Sequence, residues 1–195
     1  MQEFAPAGEW NMAAIIGLSS DQVAKVVEKV KSGFVAIANY NCNGQIAISG
    51  EKNAIEEAAE IAKEVGARKV IILKTTGPFH TIKLKEASNK LKIDLDQINY
   101  GEFNIPVVKN IDGEIYNKKD DIATILSNHI ISPVKFTKCM ETMQNDGVDT
   151  FIEIGPGKVL SGFAKRTCDG CKILNINDIE SLENTVSYIN SNKKI

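Results

Sequence analysis

The run Val35-Ala36-Ile37-Ala38-Asn39-Tyr40-Asn41-Cys42-Asn43-Gly44-Gln45-Ile46-Ala47-Ile48-Ser49 decides the fold of the first part of this chain. Its two β-rich arms flank Asn43-Gly44, a pair that tolerates the positive φ of a tight hairpin turn, so two antiparallel strands are expected. Upstream, Met12-Ala13-Ala14-Ile15-Ile16-Gly17-Leu18 reads as a short buried strand, and Ser19 to Gln22 as a capping box with Ser19 as N-cap. Val23, Val26, Val27 and Val30 then recur at i, i+3, i+4 and i+7, an apolar stripe on a helix that stops near Gly33. Downstream, Ile55, Ala58, Ala59, Ala62 and Val65 repeat the stripe up to Gly66, and Lys69-Val70-Ile71-Ile72-Leu73 adds a last β-rich run. The order over residues 12–75 is βαββαβ, the ferredoxin-like plan. That plan hosts many unrelated activities and assigns none.

From residue 76 the pattern changes to single strands alternating with helices, the grammar of open α/β folds. The turn Gly77-Pro78-Phe79-His80 precedes a helix expected from Ile82 to Ile93, and Ile105-Pro106-Val107-Val108 is an extended run ending at Asn110-Ile111-Asp112-Gly113. Helices are expected from Asp120 to Ile131, stopped by Ser132-Pro133, and from Thr137 to Asp146, stopped by Gly147. Thr150-Phe151-Ile152-Glu153-Ile154 reads as a strand leading into Gly155-Pro156-Gly157-Lys158, after which Val159 to Lys165 is helical; Ser191 to Ile195 reads as a frayed tail. The expectation is an α/β (α+β) chain with two contiguous parts, residues 12–75 and residues 76–190.

The chain has 195 residues, 43% of them hydrophobic, which is enough for a real core. Its 23 basic and 25 acidic residues leave a net charge of -2, so no global field favours nucleic acid. The longest apolar stretch, Met12–Leu18, is far short of the roughly 20 residues that span a bilayer. Met1-Gln2-Glu3-Phe4-Ala5-Pro6 carries an acid where a signal peptide has basic residues, and a cytoplasmic protein is expected, with neither membrane nor nucleic-acid partners. The four cysteines are too few and scattered for a disulfide framework. Cys168-Asp169-Gly170-Cys171 is a lone CxxC without a second pair, a neighbouring histidine or a preceding strand, and no metal site is assigned.

Only His80 and His129 can titrate near neutrality as a general base. His80 follows a buried strand in a Gly-Pro turn, where open α/β sheets present catalytic groups. Its position is equally compatible with a helix-start residue that has no task. His129 lies within an amphipathic helix, where a packed histidine is the commoner case. A base needs a nucleophile, and no GxSxG elbow is present: Gly17-Leu18-Ser19-Ser20-Asp21 lacks the second glycine, and Ser19 is better explained as a cap. Gly155-Pro156-Gly157-Lys158 lacks the spacing of a phosphate loop and has no Ser or Thr after its lysine. From its residues alone the chain holds an incomplete active site.

A series of stretches, taken in order, resembles the malonyl-CoA:acyl carrier protein transacylases of fatty-acid synthesis. They are Met1-Gln2-Glu3, Met12–Leu18, the Asn39–Gly50 hairpin, Gly77-Pro78-Phe79-His80, Pro106-Val107-Val108-Lys109-Asn110, Ser132-Pro133-Val134-Lys135-Phe136 and Glu153-Ile154-Gly155-Pro156-Gly157-Lys158-Val159-Leu160. Together they cover nearly the whole chain.

The resemblance implies the C-terminal part of an α/β-hydrolase-like acyltransferase domain carrying a ferredoxin-like subdomain. In that family an elbow serine takes the malonyl group from coenzyme A and passes it to the phosphopantetheine thiol of acyl carrier protein. It implies that His80 is the catalytic base, that Phe79 beside it disfavours an α-methyl branch, and that Asn110 is a substrate-binding residue. His129 stands where the family usually has a glutamine whose backbone carbonyl orients the histidine. Malonyl-CoA and acyl carrier protein are implied as substrates and partners, with no cofactor. The elbow serine, the oxyanion groups and the malonate-binding arginine of the family would lie on a missing N-terminal segment, for which neither Arg68 nor Arg166 substitutes. The alternative is a non-catalytic ferredoxin-like module that docks acyl carrier protein or another protein.

Overall fold

A computed structural model describes residues 4–192; the Met1-Gln2-Glu3 start and the end of the expected tail, Lys193 to Ile195, lie outside the described residues. Strands β1 (Trp10–Ile16), β2 (Val35–Cys42), β3 (Gln45–Glu51) and β4 (Lys69–Lys74) form one antiparallel sheet in the order β2-β3-β1-β4, the ferredoxin-like arrangement. Cys42 faces Gln45 across the two-residue turn Asn43-Gly44, and Gly44 takes φ +70°, the conformation for which glycine was expected there.

Helix α1 (Ser20–Lys29) starts as its sequence dictates: Ser19 Oγ accepts from Gln22 N and Gln22 Oε1 accepts from Ser19 N. Each satisfies a backbone donor that the helix start would otherwise leave open. The apolar stripes of α1 and of α2 (Lys52–Glu64) pack on one sheet face, where Val23, Val26 and Ile55 meet Ala13, Ile15, Ile46 and Ile48. Strand β4 lies at the sheet edge, with Ile71, Ile72 and Leu73 exposed.

The chain forms two compact units, one ending at Cys139 and one beginning at Met140. This division falls later than the change of pattern read at residue 76, because the first unit is bonded back onto the sheet: Tyr40 N donates to Val134 O (2.8 Å) and Val134 N to Ala38 O (2.9 Å). After β4 comes a 3-10 turn (Ile82–Leu84), then α3 (Lys85–Leu95) and α4 (Ile122–His129). The extended run Ile105–Val108 does not become a strand. Pro106 has no N–H, and the remaining bonds close a tight reversal: Tyr116 N donates to Val107 O (2.9 Å) and Lys109 N to Glu114 O (2.7 Å), leaving one isolated bridge between Val108 and Ile115.

Helix α5 (Phe136–Asn145) carries the chain into the second unit. There β5 (Thr150–Ile154) and β6 (Lys172–Ile176) pair in parallel, joined by α6 (Val159–Thr167), and α7 (Ile179–Ser191) follows. Neither β6 nor α7 was read from the sequence. Asp178 and Ser181 form a capping box at the start of α7, and Ser191, expected in a frayed tail, is its last helical residue. Among the described residues no helix is long and apolar enough to cross a membrane, and no group of three or more His, Cys, Asp or Glu could hold a metal ion.

Candidate active site

His80 is set by the turn that leaves β4. Thr75 Oγ1 donates to Gly77 O (3.3 Å), Phe79 N donates to the same carbonyl (3.0 Å), and Thr81 Oγ1 donates to Pro78 O (2.7 Å). Pro78 and Thr81 are buried, and these bonds hold His80 at φ +58°, the left-handed region that a non-glycine residue adopts at a cost of about 1 kcal/mol or more. His80 is alone among the described non-glycine residues in having a positive φ, so the turn spends conformational energy to aim this imidazole.

What it aims at is the end of α4. Asp121 caps that helix, its Oδ1 accepting from Thr124 N (3.0 Å), and Ser132-Pro133 stops it, so His129 is its last residue. A carbonyl in the last turn of a helix has no partner inside the helix. The His129 carbonyl lies 3.2 Å from His80 Nδ1. A carbonyl oxygen only accepts, so Nδ1 carries the proton, and neutral His80 keeps its lone pair on Nε2. That is the tautomer a general base requires.

The His129 ring lies beside that of His80, 5.4 Å between centroids at 42°. Its Nε2 is buried with no hydrogen-bond partner among the described residues, and burial, with the neighbouring His80 as the smaller cause, lowers its pKa below the ordinary histidine value. His129 also lines a cavity of about 200 Å³ together with Val108, Asn110, Tyr116, Ile125 and Leu126.

Asn110 reaches that cavity from the reversal of residues 109–114. Its backbone oxygen accepts from Lys135 N (2.8 Å) and its Oδ1 from Cys139 Sγ (3.5 Å). The reversal is tied down by Lys109, 6% exposed, whose Nζ meets Asp112 Oδ2 (3.2 Å) and Asp120 Oδ2 (3.1 Å) and lies 5.7 Å from the Tyr116 ring centre. Burial works against the charge on Lys109, but the bonds to Asp120 and Asp112 outweigh it and raise its pKa. Sequence reading missed this clamp. The i, i+3 spacing of Lys109 and Asp112 could have shown half of it, but Asp120 is brought in only by the fold. Phe79 is half-buried beside His80, with its ring edge near Gly77. The structure therefore brings His80 to His129, and Asn110 to the cavity that His129 lines.

Two rejected motifs find their explanation as well. Ser19 is a helix cap. In the second unit the Glu153 carboxylate accepts from Leu160 N (3.1 Å) and Ser161 N (2.7 Å), so the start of α6 after Gly155-Pro156-Gly157-Lys158 already holds an anion of its own. Those bonds outweigh the desolvation of Glu153 and lower its pKa.

The chain thus carries a ferredoxin-like sheet, a turn after its last strand that presents a carbonyl-steered imidazole, and, further along the sequence, a parallel α/β unit. No family model matches the chain. The particular relatives are malonyl CoA-acyl carrier protein transacylases: the chain is 42% identical over 185 residues to that of Bacillus subtilis, covering 94% of this chain and 58% of the relative. It is 43% identical, with a TM-score of 0.93, to the crystal structure of the Clostridium perfringens enzyme, covering 98% of this chain and 60% of that one. A malonyl-transacylase solved in complex with a type II PKS acyl-carrier protein is 34% identical, with a TM-score of 0.90 over 96% of this chain and 61% of that one. The resemblance read from the motifs thus holds over nearly the whole chain, which spans somewhat less than two thirds of the length of these relatives.

Proposed function

We propose that this chain is the histidine-bearing part of a malonyl-CoA:acyl carrier protein transacylase of fatty-acid biosynthesis, working in the cytoplasm. Residues 12–75 are its small subdomain, and residues 76–190 belong to the larger α/β subdomain. The observation that carries the reading is the 3.2 Å approach of His80 Nδ1 to the His129 carbonyl, which leaves Nε2 as the base.

The nucleophile is a serine on a GxSxG elbow, a motif this sequence lacks, supplied by an N-terminal segment that completes the domain. His80 Nε2 takes the serine proton as the oxygen attacks the malonyl thioester, and returns it to the departing coenzyme A thiolate. In the second half-reaction it takes the proton of the phosphopantetheine thiol, which attacks the malonyl ester, and returns it to the serine. Phe79 forms a wall of the acyl pocket and Asn110 contacts the substrate. Support comes from the similarity to enzymes named for this reaction, one of them solved with its carrier protein.

The chain is incubated with malonyl-CoA, with and without the elbow segment, and followed by intact-mass spectrometry and carrier acylation. No acyl adduct is expected without the segment, and both adduct and transfer with it. His80→Gln should lower the reconstituted rate by about 10²–10⁴. Acylation of the chain alone, or full activity of His80→Gln, would overturn the proposal. A chain that binds the carrier yet never supports transfer would point to the docking role instead.

A further inference from the structure

The transacylase reading leaves Cys168-Asp169-Gly170-Cys171 without a task. In the fold these residues connect α6 to β6. Cys168 closes α6, its N–H donating to Ala164 O (2.9 Å), and β6 begins with Lys172 N donating to Asp149 O (2.8 Å). The Asp169 carbonyl accepts from Gln144 Nε2 (3.2 Å). Between these anchors the chain reverses through Asp169-Gly170, with Gly170 at φ +75°, the value that a type II turn demands at its third residue. The first and fourth residues of a β-turn have Cα atoms less than about 7 Å apart, and a disulfide spans about 4.4–6.8 Å.

Cys168 and Cys171 are both free cysteines, and Cys171 Sγ lies 4.0 Å from the Asp169 carbonyl in the turn between them. Cys168 is 5% exposed, whereas Cys171 is only half-buried. The other two cysteines, Cys42 and Cys139, are buried in the first unit.

We propose that Cys168 and Cys171 form a thiol-modification site, a dithiol that a low-molecular-weight disulfide oxidises reversibly to an intramolecular disulfide across the α6–β6 turn. Burial, with Cys171 as the next cause, pushes the Cys168 thiol up to about 11, so the thiol that meets the reagent first is Cys171. The Cys171 thiolate attacks one sulfur of the reagent, forming a mixed disulfide and expelling one reagent thiolate. Cys168 then loses its proton to solvent and attacks Cys171 Sγ. The bond between the two cysteines forms as the second reagent thiolate leaves. Overall two protein thiols give up two electrons and two protons, and one reagent disulfide becomes two thiols. The short exposed turn places this bond among the labile, reducible disulfides. The inference is independent of the transacylase reading.

Trypsin releases both cysteines in one peptide, Thr167 to Lys172, because Arg166 and Lys172 are its cleavage sites. The native chain is treated with oxidised glutathione, quenched in acid, alkylated in denaturant and digested. The expected peptide carries no alkyl group, is lighter by two hydrogens and reverts with dithiothreitol, while Cys42 and Cys139 are alkylated. Cys168→Ser should stop at a glutathione adduct on Cys171, and Cys171→Ser should leave Cys168 unmodified. A doubly alkylated peptide, or a lasting glutathione adduct in the unmutated chain, would overturn the proposal.

Discussion

Ile55→Ala tests whether the two-helix layer holds the sheet on which the site depends. Ile55 is 0% exposed and packs within the cluster of Ile15, Ile48, Val23 and Val26. The substitution removes three carbons, about 2.4 kcal/mol at roughly 0.8 kcal/mol per buried methylene. Its neighbours Ile15, Ile48 and Val23 are β-branched and stiff at χ1, so the hole relaxes poorly and a cavity contribution of about 1 kcal/mol or more is added. The total, about 3–4 kcal/mol, lies within the range of about 2–5 kcal/mol found for such truncations. Trp10, the single tryptophan, is 7% exposed in β1 and reports the unfolding of this sheet by fluorescence. At an m-value of about 2 kcal/mol/M the urea midpoint should fall by about 1.5–2 M. Val65→Ala, at a 38% exposed position following α2, should change stability by no more than about 0.5 kcal/mol. An Ile55→Ala midpoint within about 0.5 M of the unmutated chain, with m unchanged, would refute this account of the core.

In a reconstituted transacylase, Phe79→Ser should relax selectivity toward methylmalonyl-CoA, a methyl-sized change worth about 1–3 kcal/mol; an unchanged ratio of kcat/KM values would remove Phe79 from the pocket wall. Because the folded pKa of His129 lies below its ordinary 6.5, the unfolded chain binds the proton first, and this contribution to stability, complete above about 6.5, is lost as the pH falls. His129→Gln should therefore flatten the decline of the urea midpoint just below pH 6.5, and identical slopes would contradict the burial of that ring. Chymotrypsin should cut first at Tyr100 or Phe103, exposed side chains in a stretch without regular structure, before any site within residues 12–75; mass mapping that finds an early cut in the sheet would refute the ranking.

What the sequence determined by itself is what short-range chemistry specifies. Ser19 and Gln22 are three residues apart and cap α1 wherever it lies, Asn43-Gly44 turns its own two strands, and the valine and alanine stripes point one face of each helix inward. The meeting of His80 with the carbonyl of His129 was expected from resemblance to a family, since no periodicity links positions 49 residues apart. Only the tertiary structure decided the rest. Lys172-Ile173-Leu174-Asn175-Ile176 is too short and mixed to declare itself a strand; it becomes one because β5, some twenty residues earlier, offers a parallel edge. Ile105-Pro106-Val107-Val108 looks more like a strand and is not one, because its hydrogen bonds close a reversal and Pro106 has none to donate. Lys109 is an ordinary lysine in the sequence and a buried clamp in the fold, since Asp120 reaches it only once α4 is in place. Caps, turns and stripes are local physics, whereas strand partners, the buried Lys109–Asp120 pair and the bond from His80 to the His129 carbonyl depend on which distant groups the packed chain brings within about 3 Å.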